Sequence, residues 1–393
     1  MPHTLALTET LRQHLTTLVE QIGPRPTGSS GNQRAGQYLK ERFAEYGWLV
    51  ETPPFDCLTW EPGIASLRCD TAALHTHANP FSPPVEGTFP AFAFDSPEAL
   101  EAAGSQKGRI VVLTGALSGD PFIPLNFPFV SFEEQQRVMK ALIAAEPAAV
   151  IGIHPKPLFC DADFPIPSLT VDPSGAELLR TCRGELTIAI GGKTIRSIGR
   201  NVIARPRRLP SPKIILTAHY DTWFGTPGAV DNAAGVAVLL GAAALLDSAE
   251  SPVEFVVFNG EDHYASPGEV QYFTGDLGQI ALNVNVDGVG AQEHLTGAAY
   301  LGEAPALFKS IRAIQADFPS VVEGEPWYQS DHTAFLQRGI PALALTSTPF
   351  DAWLERTHTA ADTLEGLDFE RIAEAARFVA RVVEDSLRGS ASD

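Results

Sequence analysis

Apolar residues recur at helical spacing near the start of the chain. In "TETLRQHLTTLVEQIG", Leu11, Leu15, Leu18 and Ile22 fall on one face and Gly23 ends the run. In "NQRAGQYLKERFAEYG", Ala35, Leu39, Phe43 and Tyr46 form a second stripe, with Asn32 as the expected N-cap and Gly47 as the stop. The connector "GPRPTGSSG" is too rich in Gly and Pro to continue either helix.

From about Pro54 to Ser197 the pattern changes. Short apolar runs punctuated by prolines, "GRIVVLTG", "AAVIGIHP", "FPIPSLTV" and "ELTIAIGG", predict strands, with one helical stretch, "FEEQQRVMKALIAAE", among them. After "GRNVIARP" come the nearly unbroken apolar runs "KIILTA", "VEFVVFN", "IALNVNVD" and "PALALT", with helices expected over Asn232–Asp247 and Asp368–Glu384. Strands that are apolar on both faces belong to a sheet covered on both sides. The expected fold is therefore α/β, a central, mostly parallel mixed sheet with helices on both faces, over residues 1–54 and 199–393. Residues 55–198 are expected to form an inserted, mostly-β domain with one or two helices.

Composition narrows the partners. A chain of 393 residues has room for two domains. Its 28 Lys and Arg against 47 Asp and Glu give a net charge of −19, which argues against nucleic acid or an anionic membrane as partner. The longest apolar run, Ala233 to Leu246, is too short to span a bilayer. Residues 1–20 lack the basic and apolar regions of a signal peptide, so a cytoplasmic location is expected, or a secreted one if a leader was removed. Cys57, Cys69, Cys160 and Cys182 follow no zinc spacing and read as buried thiols. The stretch "TPGAVDNAAGVAVLLGAAALL" has no dinucleotide glycine pattern.

The chemistry gathers at the strand ends. "KIILTA" runs into His219 and Asp221, "VEFVVFNG" into Glu261 and Asp262, "IALNVNVD" into Asp287, and the segment after "PALALT" carries His358 in "THTAADT". Asp231 and Asn232 stand at the mouth of the Ala/Gly-rich helix. Open α/β sheets bind ligands beyond the carboxyl ends of their strands, so these groups should converge. Carboxylates gathered in a poorly solvated cleft repel one another, and divalent cations are the simplest way to hold them together. Imidazole with carboxylate suits zinc, with manganese or cobalt as alternatives, and the number of acids fits two ions. His263 is expected to be exposed, Asp331 and His332 to be structural support near the cleft, and His75, His77 and His154 to lie at no metal spacing.

The pieces "HYD…PGAVDNAAG", "NGED", "NVD", "SDHTAFLQRGIPA" and "HTAADT", in that order, resemble the zinc peptidases of metallopeptidase family twenty-eight, which includes aminopeptidases, glutamate carboxypeptidase, glutaminyl cyclase and the transferrin receptor. The resemblance implies that His219, Asp231 and Asp287 hold one metal ion and that Asp231, Asp262 and His358 hold the other, Asp231 bridging. It also implies Glu261 as general base, Asp221 and Asp362 as carboxylates orienting the two histidines, and a cis peptide between Asp231 and Asn232. Asp262 departs from the glutamate usual at its place. "FPIPSLTV" and the segment before it resemble part of a protease-associated domain.

The expected function is that of a di-metal, zinc exopeptidase, an aminopeptidase acting on peptides. Glu261 would take a proton from the attacking water, and Tyr328, just ahead of "SDHTAF", is a candidate phenol for the oxyanion. A glutamate-type carboxypeptidase is the enzymatic alternative. It would need a basic pocket, and Trp327, Tyr328 and Gln329 offer no positive charge. A non-catalytic binding protein on the same fold would show missing ligands, and none is missing.

Overall fold

The structure is a computed structural model that describes residues 2–181, 184–249 and 251–389. The chain divides into two compact units, Met1–Cys57 with Ile198–Asp393, and Leu58–Ser197.

The discontinuous unit is built on an eight-stranded sheet. Its order is Leu49–Glu51, Val202–Arg205, Val253–Phe258, Lys213–His219, Ile280–Val286, Ala342–Thr348, Leu295–Leu301 and Val321–Glu323. The four strands from Val253–Phe258 to Ala342–Thr348 in that order are parallel neighbours. Antiparallel pairings flank them on both sides. Parallel strands place their carboxyl ends on one edge of the sheet, so the residues after His219, Phe258 and Val286 are brought side by side by topology alone. Those strands are buried along nearly their whole length because helices cover both faces.

One face carries the larger core. Leu11 and Leu15 of the helix Pro2–Thr16, Leu18 of the turn Thr17–Ile22 that follows it, Ala35, Leu39 and Phe43 of the second helix, Ser30–Glu45, the helix Ala234–Leu245, and Ile372, Ala376 and Val379 of the helix Phe369–Gly389 pack there. A Cβ on Gly241 would meet the Ala376 Cβ at 2.8 Å and Leu11 at 3.1 Å, so glycine is what lets three helices close on one another. The opposite face is covered by Tyr272, Phe335 and their neighbours from the short helices Pro267–Tyr272 and His332–Leu336. No described helix is long and apolar enough to cross a membrane.

The inserted unit has its own eight-stranded sheet, ordered Ala72–Leu74, Pro54–Cys69, Glu185–Arg200, Val85–Phe94, Ile110–Leu113, Ala149–Ile153, Ser168–Val171 and Thr76–Ala78. Its four consecutive strands from Val85–Phe94 to Ser168–Val171 are parallel. Three described helices, Pro97–Ala102, Glu133–Ala145 and Ala176–Thr181, accompany them, more than the one or two expected. Parallel neighbours need crossovers, and two of the helices are too short to show a periodic stripe.

Three expectations are corrected. The cap of the second helix is Ser29, whose side chain accepts from the Asn32 amide, while Asn32 itself is buried inside the first turn. His263 is buried rather than exposed, with the Ala265 amide donating to its Nδ1. Cys57 and Cys160 are buried thiols, but Cys69, at the end of a long strand, is disulfide-bonded. Cys182 lies outside the described residues. A disulfide belongs to oxidising surroundings, so the cysteines no longer support a cytoplasmic location.

Candidate metal centre

Three strand ends, a bend and a loop supply the centre. His219 is the last residue of its strand, Glu261 and Asp262 follow Val253–Phe258, and Asp287 follows Ile280–Val286. Asp231 sits in the bend before the helix Ala234–Leu245, where it and Asn232 have non-helical backbone angles joined by a cis peptide. His358 lies in the loop before the last helix with φ 59°, a left-handed conformation uncommon for a non-glycine residue.

The side chains converge as two overlapping groups. His219, Asp231 and Asp287 form one, and Asp231, Asp262 and His358 the other, with the potential ligand atoms of each group within 4.8 Å of one another. Asp231 is shared. Its Oδ1 lies 3.1 Å from His219 Nε2 and its Oδ2 3.1 Å from His358 Nε2. Asp287 Oδ1 is 3.5 Å from His219 Nε2, and Asp262 Oδ1 is 2.8 Å from His358 Nε2. Glu261 Oε2 reaches to 3.9 Å from His219 Nε2.

A divalent metal fits this donor set. His219 Nε2, Asp262 Oδ2 and Asp287 Oδ1 are buried with no hydrogen-bond partner, which is costly unless a cation satisfies them. The electrostatics agree. Burial pushes His219 and His358 down, yet the carboxylates around them outweigh it and hold both well above the usual histidine range. Burial pushes Asp231 up, and the His219 and His358 imidazoles beside it overcome that and hold the carboxyl well below its ordinary range. The cluster is a demand for positive charge, which divalent ions meet without protonating the ligands.

Burial raises Glu261 well above the carboxylate range, reinforced by Asp287, Asp262 and Asp231 and opposed by His219. A carboxyl poised toward neutrality suits a group that takes and returns a proton.

The supporting shell is drawn from distant parts of the chain. Asp221 lies 3.6 Å from His219 Nδ1 and accepts from Thr27 Oγ1, the Gly260 amide and the Asp262 amide. It thereby orients the histidine and also fixes the loop bearing Glu261. Asp362 accepts from the amides of Val230 and Asp231 at 2.7 and 3.1 Å, holding the backbone of the shared aspartate. Asn232 bonds the Val286 carbonyl, tying that bend to the strand that ends at Asp287.

Several groups were missed by sequence reasoning. Arg25 is wholly buried, and its guanidinium donates to the carbonyls of Tyr220, Pro227 and Gly228 at 2.7, 2.6 and 2.7 Å. Burial lowers its pKa to about 10 while Asp362, Asp221, Asp231 and Asp262 oppose that fall. Asn32 and Asn259 pair their amides reciprocally, at 2.7 and 3.0 Å, just ahead of Glu261. Trp223 stacks on His358. The polar, proline-rich "GPRPTGSSGN" between two helices was the available signal for Arg25, Thr27 and Asn32.

Tyr328 is not drawn into the cluster. The residue is 58% exposed, and its amide and carbonyl are engaged by Gln329 and Thr333. An oxyanion role for it gains no support from this placement. His332, expected as support, is buried between the Trp327 carbonyl and Asn285.

Residues 201–383 match the model of peptidase family M28. The probable lipoprotein aminopeptidase LpqL of Mycobacterium tuberculosis is 27% identical over 300 residues, covering 71% of this chain and 58% of that protein. Aminopeptidase YwaD of Bacillus subtilis is 27% identical over 248 residues, covering 57% of this chain and 52% of its own length. The chain spans about half the length of these curated relatives. The solved structure of a zinc aminopeptidase from Bacillus subtilis shares the fold, with a TM-score of 0.77, 22% identity, and coverage of 96% of this chain and 95% of that one.

Proposed function

We propose that the chain is a two-metal aminopeptidase of peptidase family M28, whose model residues 201–383 match, with zinc as the metal. The observation that carries this reading is the position of Asp231, whose two carboxylate oxygens face two different histidines, each accompanied by a further carboxylate. A single ion has no use for a carboxylate with both oxygens so employed, whereas a pair bridged by one carboxylate does. The names of the Mycobacterium and Bacillus relatives, both aminopeptidases, support the choice of reaction.

On this reading His219, Asp231 and Asp287 would hold one ion and Asp231, Asp262 and His358 the other. Bound there, the ions supply acidification of the attacking water and polarisation of the scissile carbonyl. Glu261 receives the water's proton at its carboxylate and delivers it to the leaving amine. Asp221 keeps His219 in one orientation, and Asp362 keeps the Asp231 backbone from drifting.

The test is metal analysis of the purified chain with a panel of aminoacyl-arylamides set against N-blocked peptides with free C-termini. Two ions per chain and hydrolysis of the free-amine substrates are expected. Cleavage of the blocked peptides alone would overturn the aminopeptidase assignment.

A further inference from the structure

We propose that His75, His77 and Asp172 form a further metal site, in the inserted unit, that takes a single divalent transition-metal ion of the zinc class. Their potential ligand atoms all lie within 4.8 Å of one another.

The site follows from strand register. Thr76–Ala78 pairs antiparallel with Ser168–Val171, with Thr76 opposite Val171 and His77 opposite Thr170. One step beyond the ladder, the Asp172 amide donates to the His75 carbonyl at 3.1 Å, so these two residues stand opposite each other. In extended chain, residues two apart share a face. His75 and His77 therefore project together, and Asp172 projects with them from the neighbouring strand. The sequence shows no metal spacing here because the third candidate ligand lies far along the chain, just past the strand Ser168–Val171.

The donors are of the right kind and are underused. The two imidazoles meet edge to face, with ring centres 5.2 Å apart and planes at 82°. One nitrogen of each ring lies within 4.8 Å of the other and of an Asp172 carboxylate oxygen. His77 Nε2 is buried and has no hydrogen-bond partner. Asp172 accepts at Oδ1 from the Ser174 amide, which fixes the carboxylate while one of its oxygens lies within 4.8 Å of a nitrogen of each imidazole. Tetrahedral bonds of about 2.0–2.2 Å separate donors by roughly 3.3–3.6 Å, so small side-chain rotations complete the shell. Two imidazoles and one carboxylate, with water filling the open position, select zinc, copper or nickel over magnesium or calcium.

The location gives the ion a structural effect. Thr76–Ala78 is a three-residue strand at the end of the sheet, held by few backbone bonds. An ion bridging it to the end of Ser168–Val171 pins that edge and guards it from fraying.

The experiment titrates the full chain with Zn2+ and measures bound zinc after gel filtration, beside His75→Ala and Asp172→Asn. Asparagine keeps an oxygen for the Ser174 amide, so its effect reports the metal rather than the turn. Both variants are expected to retain one zinc ion fewer than the parent, with affinity for that ion weakened at least about tenfold, the loss even an outer-shell partner produces. Far-ultraviolet circular dichroism should be unchanged. Because the readout is a difference in zinc content, it stands whatever the chain hydrolyses. Equal zinc content in parent and variants overturns the proposal. So does binding seen only at millimolar zinc and equally in all three, an adventitious ion only.

Discussion

The indole of Trp223 lies flat against the imidazole of His358, with ring centres 4.9 Å apart and planes 9° from parallel. His358 stands on a loop at positive φ, so nothing in a helix or strand fixes its ring. The stack does that work from the neighbouring loop. Trp223→Ala should therefore loosen the ligand side containing His358 while sparing the side containing His219. An aromatic pair contributes about 1 kcal/mol, which corresponds to roughly fivefold weaker binding of one ion. Chelator competition on the variant checks this, and Trp223→Phe should restore most of the affinity.

Glu261 is close to His219 but shared by neither ligand group, which separates proton transfer from metal holding. Glu261→Gln keeps the shape and removes the proton acceptor. Turnover is expected to fall by about 10²–10⁴, the usual contribution of a general base, while metal content by mass spectrometry stays at the parent's level. Retained turnover would remove Glu261 from the mechanism. His219→Ala should behave differently and lose metal and turnover together.

Arg25 gathers three carbonyls of the loop between His219 and Asp231 around one planar cation. Lysine carries the same charge on a single nitrogen and cannot reproduce that fork. Arg25→Lys is expected to destabilise the fold by on the order of 3 kcal/mol, read from urea unfolding, because buried carbonyls are left unsatisfied. Since Asp231 sits at the end of the same loop, metal affinity should fall with it.

The candidate ligands at the strand ends were legible in the sequence because each follows an apolar run, and parallel topology converts that position into proximity; Asp231 and His358, in a bend and a loop, are not placed by that logic. His219, Asp287 and the Glu261–Asp262 pair follow this logic directly. The buttresses did not, because their partners are set by tertiary packing. Asn32 looks like a helix cap and is instead the partner of Asn259, while Arg25 resembles an ordinary turn residue until the loop closes over it. His75 and His77 carried no signal without the register that brings Asp172 opposite. Tyr328 is near the candidate site in sequence alone, which for an exposed loop residue says little about direction.

His14 gives the fold an acid sensitivity separable from the metal centre. It is buried between Tyr38 and Tyr46, whose hydroxyls lie 2.6 and 2.9 Å from its two ring nitrogens. Burial, with repulsion from Arg42, lowers its pKa to about 4. The unfolded chain takes up the proton near pH 6.5 and the folded chain resists it until about pH 4, so the unfolded state binds more protons in that window. The stabilisation from a neutral His14 is fully present above pH 6.5 and is lost as pH falls toward 4, by up to about 3 kcal/mol. Urea unfolding of the parent and His14→Gln, both with chelator present, isolates this effect, since every other titrating group is common to the two. The stability gap between them should narrow between pH 7 and pH 5, at no more than about 1.4 kcal/mol per pH unit. A gap that stays constant across that range would mean that the His14 proton is bound alike in both states, and that its burial between the two tyrosines does not govern its charge.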